Sequence, residues 1–239
     1  MVSCNAYESR AMREALGTTL RPGGFCLTDE AVEFCKFRKG DKLLDIGCGM
    51  GATVEYLWDR YELEAVGIDP SRKLIEIGKK RNEKLNLVEG RGESLDFEKS
   101  SMKGIFAECT LSLMEDRNKV ISEAYRVLAK DGYFIATDVY AKNPQFIHEL
   151  KDFSFNSCMR GLHDLEELKE EFIRQGFKIA LCKDCSDLLK QLMIKIIFTY
   201  GSMNIFWRNS TECSINSSKF EEILRRCKVG YFIIVGRKT

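Results

Sequence analysis

Apolar positions along the chain fall into two alternating kinds of run, and their order predicts an α/β sheet. Short continuous apolar stretches end at turn residues over 43–46, 65–68, 85–88, 105–108 and 133–138, as strands buried on both faces do. Between them stand segments with apolar residues at steps of three and four: Val54, Leu57, Trp58 and Tyr61, then Val120, Ile121, Ala124 and Val127. That spacing belongs to the core-facing side of a helix. Lys130, Asp131 and Gly132 read as a turn before the fifth strand. Further on the pattern predicts a helix over 164–175 ended by Gly176, a strand over 177–181, a helix over 186–200 and a last strand over 231–235. About forty residues separate the last two strands, longer than ordinary connections, and predict a lid or an interface. Within it Gly201 is a candidate pivot, and Tyr200, Met203, Phe206 and Trp207 form an apolar tail.

The first forty residues read as a cap. Residues 6–16 have helical spacing, with Tyr7, Ala11 and Ala15 along one side, and Thr28 is expected to N-cap a helix running to Phe37. Arg21-Pro22-Gly23-Gly24 reads as a linker turn, with the alternative that Arg21 and Tyr7 fold over the mouth of a ligand site.

The chemistry concentrates where the first strand meets its helix. Gly47, Gly49 and Gly51 allow positive φ and take side chains away from the place where a ligand approaches the backbone. With Ala52 they satisfy a loose dinucleotide pattern, G-x-G-x-x-[GA], which by itself leaves a nicotinamide cofactor open. Asp69, at the end of the second strand, suits an N-cap with Pro70 at the first helical position. It also suits a carboxylate that accepts from both hydroxyls of a ribose.

Asp45 precedes the glycines to give D-x-G-x-G-x-G, which resembles the first motif of class I S-adenosylmethionine-dependent methyltransferases. The run Glu123-Ala124-Tyr125-Arg126-Val127-Leu128 with Asp131-Gly132 resembles the E-A-x-R-V-L-K-P-G-G segment of their small-molecule, UbiE-like branch. The resemblance implies a Rossmann-like doubly wound, mostly parallel seven-stranded sheet with an antiparallel last strand. It implies S-adenosylmethionine as cofactor, with Gly47, Cys48, Gly49 and Gly51 under its methionine part and Asp45 at its ammonium end. The loop 89–97 departs from the family's G-D-A-E-x-L-P-F, with Arg91 and Asp96 out of pattern, while Gly92 and Glu93 remain in register for adenine.

Composition narrows the partners. The 239 residues suit one domain, divided into a cap (1–40), a cofactor-binding core (41–142) and a C-terminal half with substrate-lid insertions (143–239). Thirty-seven Lys and Arg against 36 Asp and Glu leave no basic excess for nucleic acid. The apolar stretch 188–200 is broken by Lys190, Gln191 and Lys195, so no membrane span is expected. Met1 leads into no secretory pattern, and the ten cysteines lack regular spacing. The expectation is reduced thiols in a cytoplasmic protein, monomer or homodimer, acting on a small molecule.

Methyl transfer from a sulfonium is an in-line displacement that needs alignment of the acceptor and exclusion of water, with a base only where the acceptor carries a proton. Glu108, at the end of the fourth strand, is the first candidate base, also placed near the cofactor, and Asp138 is the second. His148 and His163 read as surface or capping residues. Cys109 sits where arsenite methyltransferases carry an Asn-Cys pair, and with Cys26, Cys48 and Cys158 it keeps a metalloid or thiol acceptor as an alternative. Cys182 and Cys185 are half of a zinc knuckle without a second half, so no metal is expected. A nicotinamide-dependent oxidoreductase would also use the glycine turn and Asp69, and a catalytically silent cofactor-binding protein would carry the same motifs. No N-P-P-Y-type motif follows the fourth strand, which argues against methylation of bases or glutamine.

Overall fold

The computed structural model describes residues 4–8, 17, 19, 21–210 and 216–239. Most of the N-terminal helix expected over 6–16 falls outside them; Ala6–Glu8 forms a 3-10 turn. In chain order the strands are β1 (Cys4–Asn5), β2 (Lys42–Ile46), β3 (Glu64–Asp69), β4 (Leu87–Glu89), β5 (Met102–Glu108), β6 (Leu128–Ala141), β7 (Phe155–Asn156), β8 (Phe177–Asp184) and β9 (Val229–Lys238). The helices are α1 (Cys26–Cys35), α2 (Ala52–Tyr61), α3 (Arg72–Arg81), α4 (Arg117–Val127), α5 (Leu165–Arg174), α6 (Ser186–Tyr200), α7 (Met203–Ser210) and α8 (Ser217–Cys227).

Seven strands make one sheet in the order β4-β3-β2-β5-β6-β9-β8, and β9 runs antiparallel to both neighbours. This is a Rossmann-like α/β fold, with the antiparallel last strand that the resemblance implies. From β2 the chain winds outward through β3 and β4, then returns to build β5 and β6 on the other side. The carboxyl ends of β2 and β5 therefore flank a topological switch point, where open α/β sheets leave a crevice.

Alternate residues of each strand enter opposite cores, which is why the strands read as unbroken apolar runs. Leu43, Phe106, Ile135 and Ile233 face the helices α1, α2 and α6–α8, while Leu44, Ile105, Phe134 and Ile234 face α4 and α5. The 44-residue stretch between β8 and β9 is not a loose loop: α6, α7 and α8 lie within it, and Phe206, Trp207 and Phe220 join the first core. Gly201 does stand between α6 and α7, at φ 84°.

Several local expectations give way to what packs around them. Thr28 does not cap α1 but lies inside it, because the helix begins two residues earlier after Phe25. Pro70 is not the first residue of α3, and Asp69 is not its cap. Ser71 takes that place, accepting from the Leu74 amide at 3.2 Å. Lys130, Asp131 and Gly132 do not form a separate turn but a bulge within β6, with Asp131 at φ 60°. The third strand is Leu87–Glu89 instead of 85–88.

Candidate active site

A cavity of about 300 Å³ opens over the carboxyl ends of β2, β3, β4 and β5. Asp45, Gly47, Cys48, Gly49, Asp69, Pro70, Gly92, Glu93 and Glu108 all line it. Gly51 does not: it stands at the start of α2 with φ 76°, where a Cβ would lie 2.8 Å from Leu87. Its positive φ and the Leu87 side chain beneath the turn both favour glycine there.

The turn itself is cut to admit no side chain. Gly47, also at φ 76°, has its Cβ position 2.0 Å from Thr110 Oγ1. Its amide and that of Cys48 donate to the Ile68 carbonyl, at 2.8 and 3.0 Å, which ties the turn to β3. Behind it Gly78 lets α3 approach, since a Cβ there would lie 2.5 Å from the Met50 carbonyl.

Asp69 fixes the same turn from the side. Its Oδ2 accepts from the Gly49 amide at 2.9 Å and its Oδ1 from the Ser71 amide at 2.8 Å. Burial pushes its carboxyl above the usual range, and the two amides oppose that shift. Each oxygen keeps a further lone pair that these bonds do not use.

Asp45 places a buried carboxyl group in the cavity wall. Its side chain is 97% buried and faces the cavity. Burial pushes its carboxyl up to about 8, the Glu108 carboxylate adds to the rise, and the Arg21 guanidinium opposes it. At neutral pH the group is mostly protonated, and a cation placed beside it would favour its ionisation.

Glu108, expected as a base, is committed elsewhere. Its Oε2 pairs with Arg21 Nη1 at 2.8 Å and accepts from Thr53 Oγ1 at 2.9 Å, while its Oε1 accepts from Thr28 Oγ1 at 2.9 Å. Arg21 also donates to Thr53, to Thr28 and to the Gly24 carbonyl. The Arg-Pro-Gly-Gly segment is therefore no linker: it carries a buried cation into the site. Tyr7 reaches the same place, lining the cavity and accepting from the Cys158 amide at 3.2 Å. The reading in which Arg21 and Tyr7 close over the site is the one the packing follows.

Asp138 does not reach the cavity wall. It accepts from the Ser112 amide and hydroxyl at 2.9 and 2.8 Å, from the Val139 amide at 2.8 Å, and lies 3.3 Å from His163 Nε2. His163, expected at the surface, is 99% buried, and its Nδ1 stands 2.7 Å from Arg117 Nη1. An arginine can only donate, so Nδ1 accepts and Nε2–H is directed at Asp138. Arg117 in turn forms a forked pair with Glu171. This network holds the short turn at Leu111–Leu113, one wall of the cavity, against α4 and α5.

The cysteines separate. Cys48 and Cys109 line the cavity, Cys158 lies beyond Tyr7, and Cys26 is exposed. Burial, with the Asp138 carboxylate next in effect, pushes the Cys158 thiol up to about 12 and the Cys109 thiol well up. Among the described residues no group of three or more His, Cys, Asp or Glu is arranged to hold a metal ion.

Beyond Tyr7 and Cys109 lies a small apolar chamber, whose other walls include Leu189, Met193, Ile196 and Trp207. The sequence offers no sign of it, because its residues read as ordinary core positions of α6 and α7. Glu93 and Arg91 border the opposite end of the cavity, where Arg91 pairs with Glu115 at 3.0 Å.

A family model described as a methyltransferase domain matches residues 44–136, the span from β2 into β6 that carries the glycine turn, Asp69 and Glu108. Residues 44–136 thus carry a methyltransferase domain, in keeping with the resemblance of the glycine motif to class I S-adenosylmethionine-dependent methyltransferases. Among curated relatives, phosphoethanolamine N-methyltransferase 3 of Arabidopsis thaliana is 25% identical over 179 residues, covering 72% of this chain and 36% of the relative. The ubiquinone/menaquinone biosynthesis C-methyltransferase UbiE of Campylobacter jejuni is 27% identical over 130 residues, covering 51% of this chain and 55% of the relative. The chain thus spans about a third to a half of the curated relatives it matches. Phosphoethanolamine N-methyltransferase 2 of Haemonchus contortus, solved with S-adenosyl-L-methionine, shares the fold at a TM-score of 0.74 and 19% identity, over 95% of this chain and 56% of that one. No helix among the described residues is long and apolar enough to cross a membrane.

Proposed function

We propose that this methyltransferase-family chain binds S-adenosylmethionine in the cavity over β2–β5 and methylates a small molecule that enters from the side of Tyr7 and the apolar chamber. The observation that carries this reading is Asp45: a buried carboxylate, raised to about 8, beside a turn in which Gly47 leaves no room for a side chain. An ammonium group suits that carboxylate, and the glycine turn lets an extended ligand lie against backbone. When bound, S-adenosylmethionine supplies an electrophilic methyl group on a sulfonium centre.

The residues of the chain bind, orient and exclude water. Asp45 receives the ammonium end. Asp69 offers one lone pair on each oxygen to the ribose hydroxyls, already oriented by the Gly49 and Ser71 amides. The backbone of Gly92, with Leu113 and Met114, forms the walls for a flat ring. Arg21, Thr28, Thr53 and Glu108 act as positioning residues that tie the segment 21–24 and α1 to α2 and β5, while Tyr7 stands between the cofactor cavity and the apolar chamber. Both carboxylates expected as bases are committed to partners. The reading therefore asks the acceptor to present its own lone pair, and alignment with desolvation supplies the rate.

The nicotinamide alternative has no use for Asp45, and the high thiol pKa values of Cys109 and Cys158 disfavour the thiolates that a metalloid needs. Replacing Asp69 by Ala is expected to weaken cofactor binding by about one to two decades, or roughly 1.5–3 kcal/mol, with the fold retained. Calorimetry with S-adenosylhomocysteine measures it, and unchanged affinity would remove Asp69 from the ribose site. The activity itself is tested by incubating the protein and labelled S-adenosylmethionine with fractionated cell extract. Transfer of label to a low-mass fraction is expected; label on protein or nucleic acid alone would refute a small-molecule acceptor.

A further inference from the structure

Three spaces adjoin one another, from the cavity over the sheet to the surface beside α8. The cofactor cavity and the apolar chamber share Tyr7 and Cys109 as a common wall. The chamber, only about 50 Å³, shares Met159, Met193, Met203 and Trp207 with a groove of about 420 Å³ on the surface beyond it. Three of those four shared residues are methionines, whose unbranched side chains shift rotamer at small cost, so the partition between chamber and groove is deformable.

The outer groove combines an apolar floor with a basic rim. Trp207, Met193, Leu224 and Val229 supply the floor, and Lys142, Lys190, Arg225 and Lys228 stand at the rim with one acid, Glu221. Lys142 and Lys190 already pair with Asp184 and Asp187, each at 2.8 Å. Arg225 and Lys228 make no ion pair with any described side chain, whereas the adjacent Arg226 is taken by Glu149. A helix C-terminus such as that of α8 favours basic residues in any case. What distinguishes these two is that they border an apolar groove that runs toward the reaction cavity.

We propose that the methyl acceptor is an anionic amphiphile: its apolar body occupies the groove and reaches into the chamber, and its anionic group rests on Arg225 and Lys228. This rests on the methyltransferase reading above and narrows its substrate class. The reacting end then meets the cofactor cavity between Tyr7 and Cys109, where no charged group of the acceptor has to be buried. The anionic group, carboxylate or phosphate, remains at the wet rim, where an ion pair forms without full desolvation of either partner.

Trp207 provides a reporter, since the sequence holds only one other tryptophan, the exposed Trp58 in a separate cleft. The experiment uses the full chain carrying Trp58→Phe, with S-adenosylhomocysteine present, titrated with twelve-carbon probes brominated at the far end. One probe bears a carboxylate, one a phosphate, and one a neutral alcohol. Saturable quenching of Trp207 by either anionic probe, at least roughly tenfold tighter than by the alcohol and weakened by salt, is the expected result. The double variant Arg225→Glu, Lys228→Glu should lose that preference roughly tenfold or more while binding S-adenosylhomocysteine as before. Equal binding of the alcohol, an unaffected double variant, or no saturable quenching by any probe would overturn the proposal. Loss of S-adenosylhomocysteine binding in the parent chain would instead overturn the methyltransferase reading beneath it.

Discussion

Replacing Gly47 by Val is expected to abolish S-adenosylmethionine binding, by more than about two decades in affinity, and to destabilise the fold by roughly 2–5 kcal/mol. Two costs add. A β-branched residue strongly disfavours φ 76°, and the new Cβ would lie 2.0 Å from Thr110 Oγ1 and 2.7 Å from Thr110 Cβ. Neither neighbour can yield cheaply, because Thr110 is buried and the Gly47 amide is fastened to the Ile68 carbonyl. Gly47→Ala combined with Thr110→Gly removes the clash but keeps the backbone strain, so it should recover part of the stability and only part of the affinity. Thermal unfolding and calorimetry on the two variants separate the contributions. A Gly47→Val protein that binds normally would show that the ligand does not lie against this turn.

Arg21→Met is expected to cost about 3–5 kcal/mol of stability, a fall in melting temperature on the order of 10 °C for a chain of this size. The loss is large because Glu108 would be left buried without its cation, with only the hydroxyls of Thr28 and Thr53 to support it. Adding Glu108→Gln should return part of the loss, as expected when the penalty lies in an unpaired buried charge. A second readout distinguishes this from simple loss of packing. The Arg21 guanidinium holds down the Asp45 carboxyl, so its removal raises that group further and moves the rise of cofactor affinity to higher pH. A destabilised variant with an unshifted pH profile would limit Arg21 to a structural role.

The sheet and its ligand edge were legible in the sequence because they rest on short-range rules. Unbroken apolar runs, such as that at Leu43 and Leu44, follow from burial on both faces, and the glycine turn follows from the need for positive φ at Gly47. The expected strands and most helices accordingly stand within a few residues of their observed ends. Asp45 and Asp69 were legible because a motif ties them to the turn. Glu108 was legible in place but not in role: its partners Arg21, Thr28 and Thr53 lie 87, 80 and 55 residues away in sequence. Nothing in a threonine inside α1 announces a buried carboxylate, and the spacing suggested a cap instead. His163 shows the same limit from the other side, since a lone histidine carries no mark of the arginine and aspartate that hold it on either side. The apolar chamber was illegible for a third reason. Met193, Ile196 and Trp207 obey the ordinary pattern of core residues, and only the packing of α6 and α7 over Tyr7 leaves a space between them.

The central claim is that Asp45 receives the ammonium of S-adenosylmethionine, and proton linkage tests it most directly. Asp45 is raised to about 8 by its burial and must ionise when it takes up a cation, so binding releases its proton. Affinity should therefore rise as pH increases toward about 8, and level or fall above it as the ligand's own amino group loses its charge. Calorimetry at about pH 7, in two buffers of different ionisation enthalpy, should detect the release of close to one proton per S-adenosylmethionine bound. The Asp45→Asn protein should bind at least roughly tenfold more weakly and release none. Proton release and affinity unchanged by Asp45→Asn, or tighter binding of a nicotinamide dinucleotide than of S-adenosylmethionine, would contradict the account.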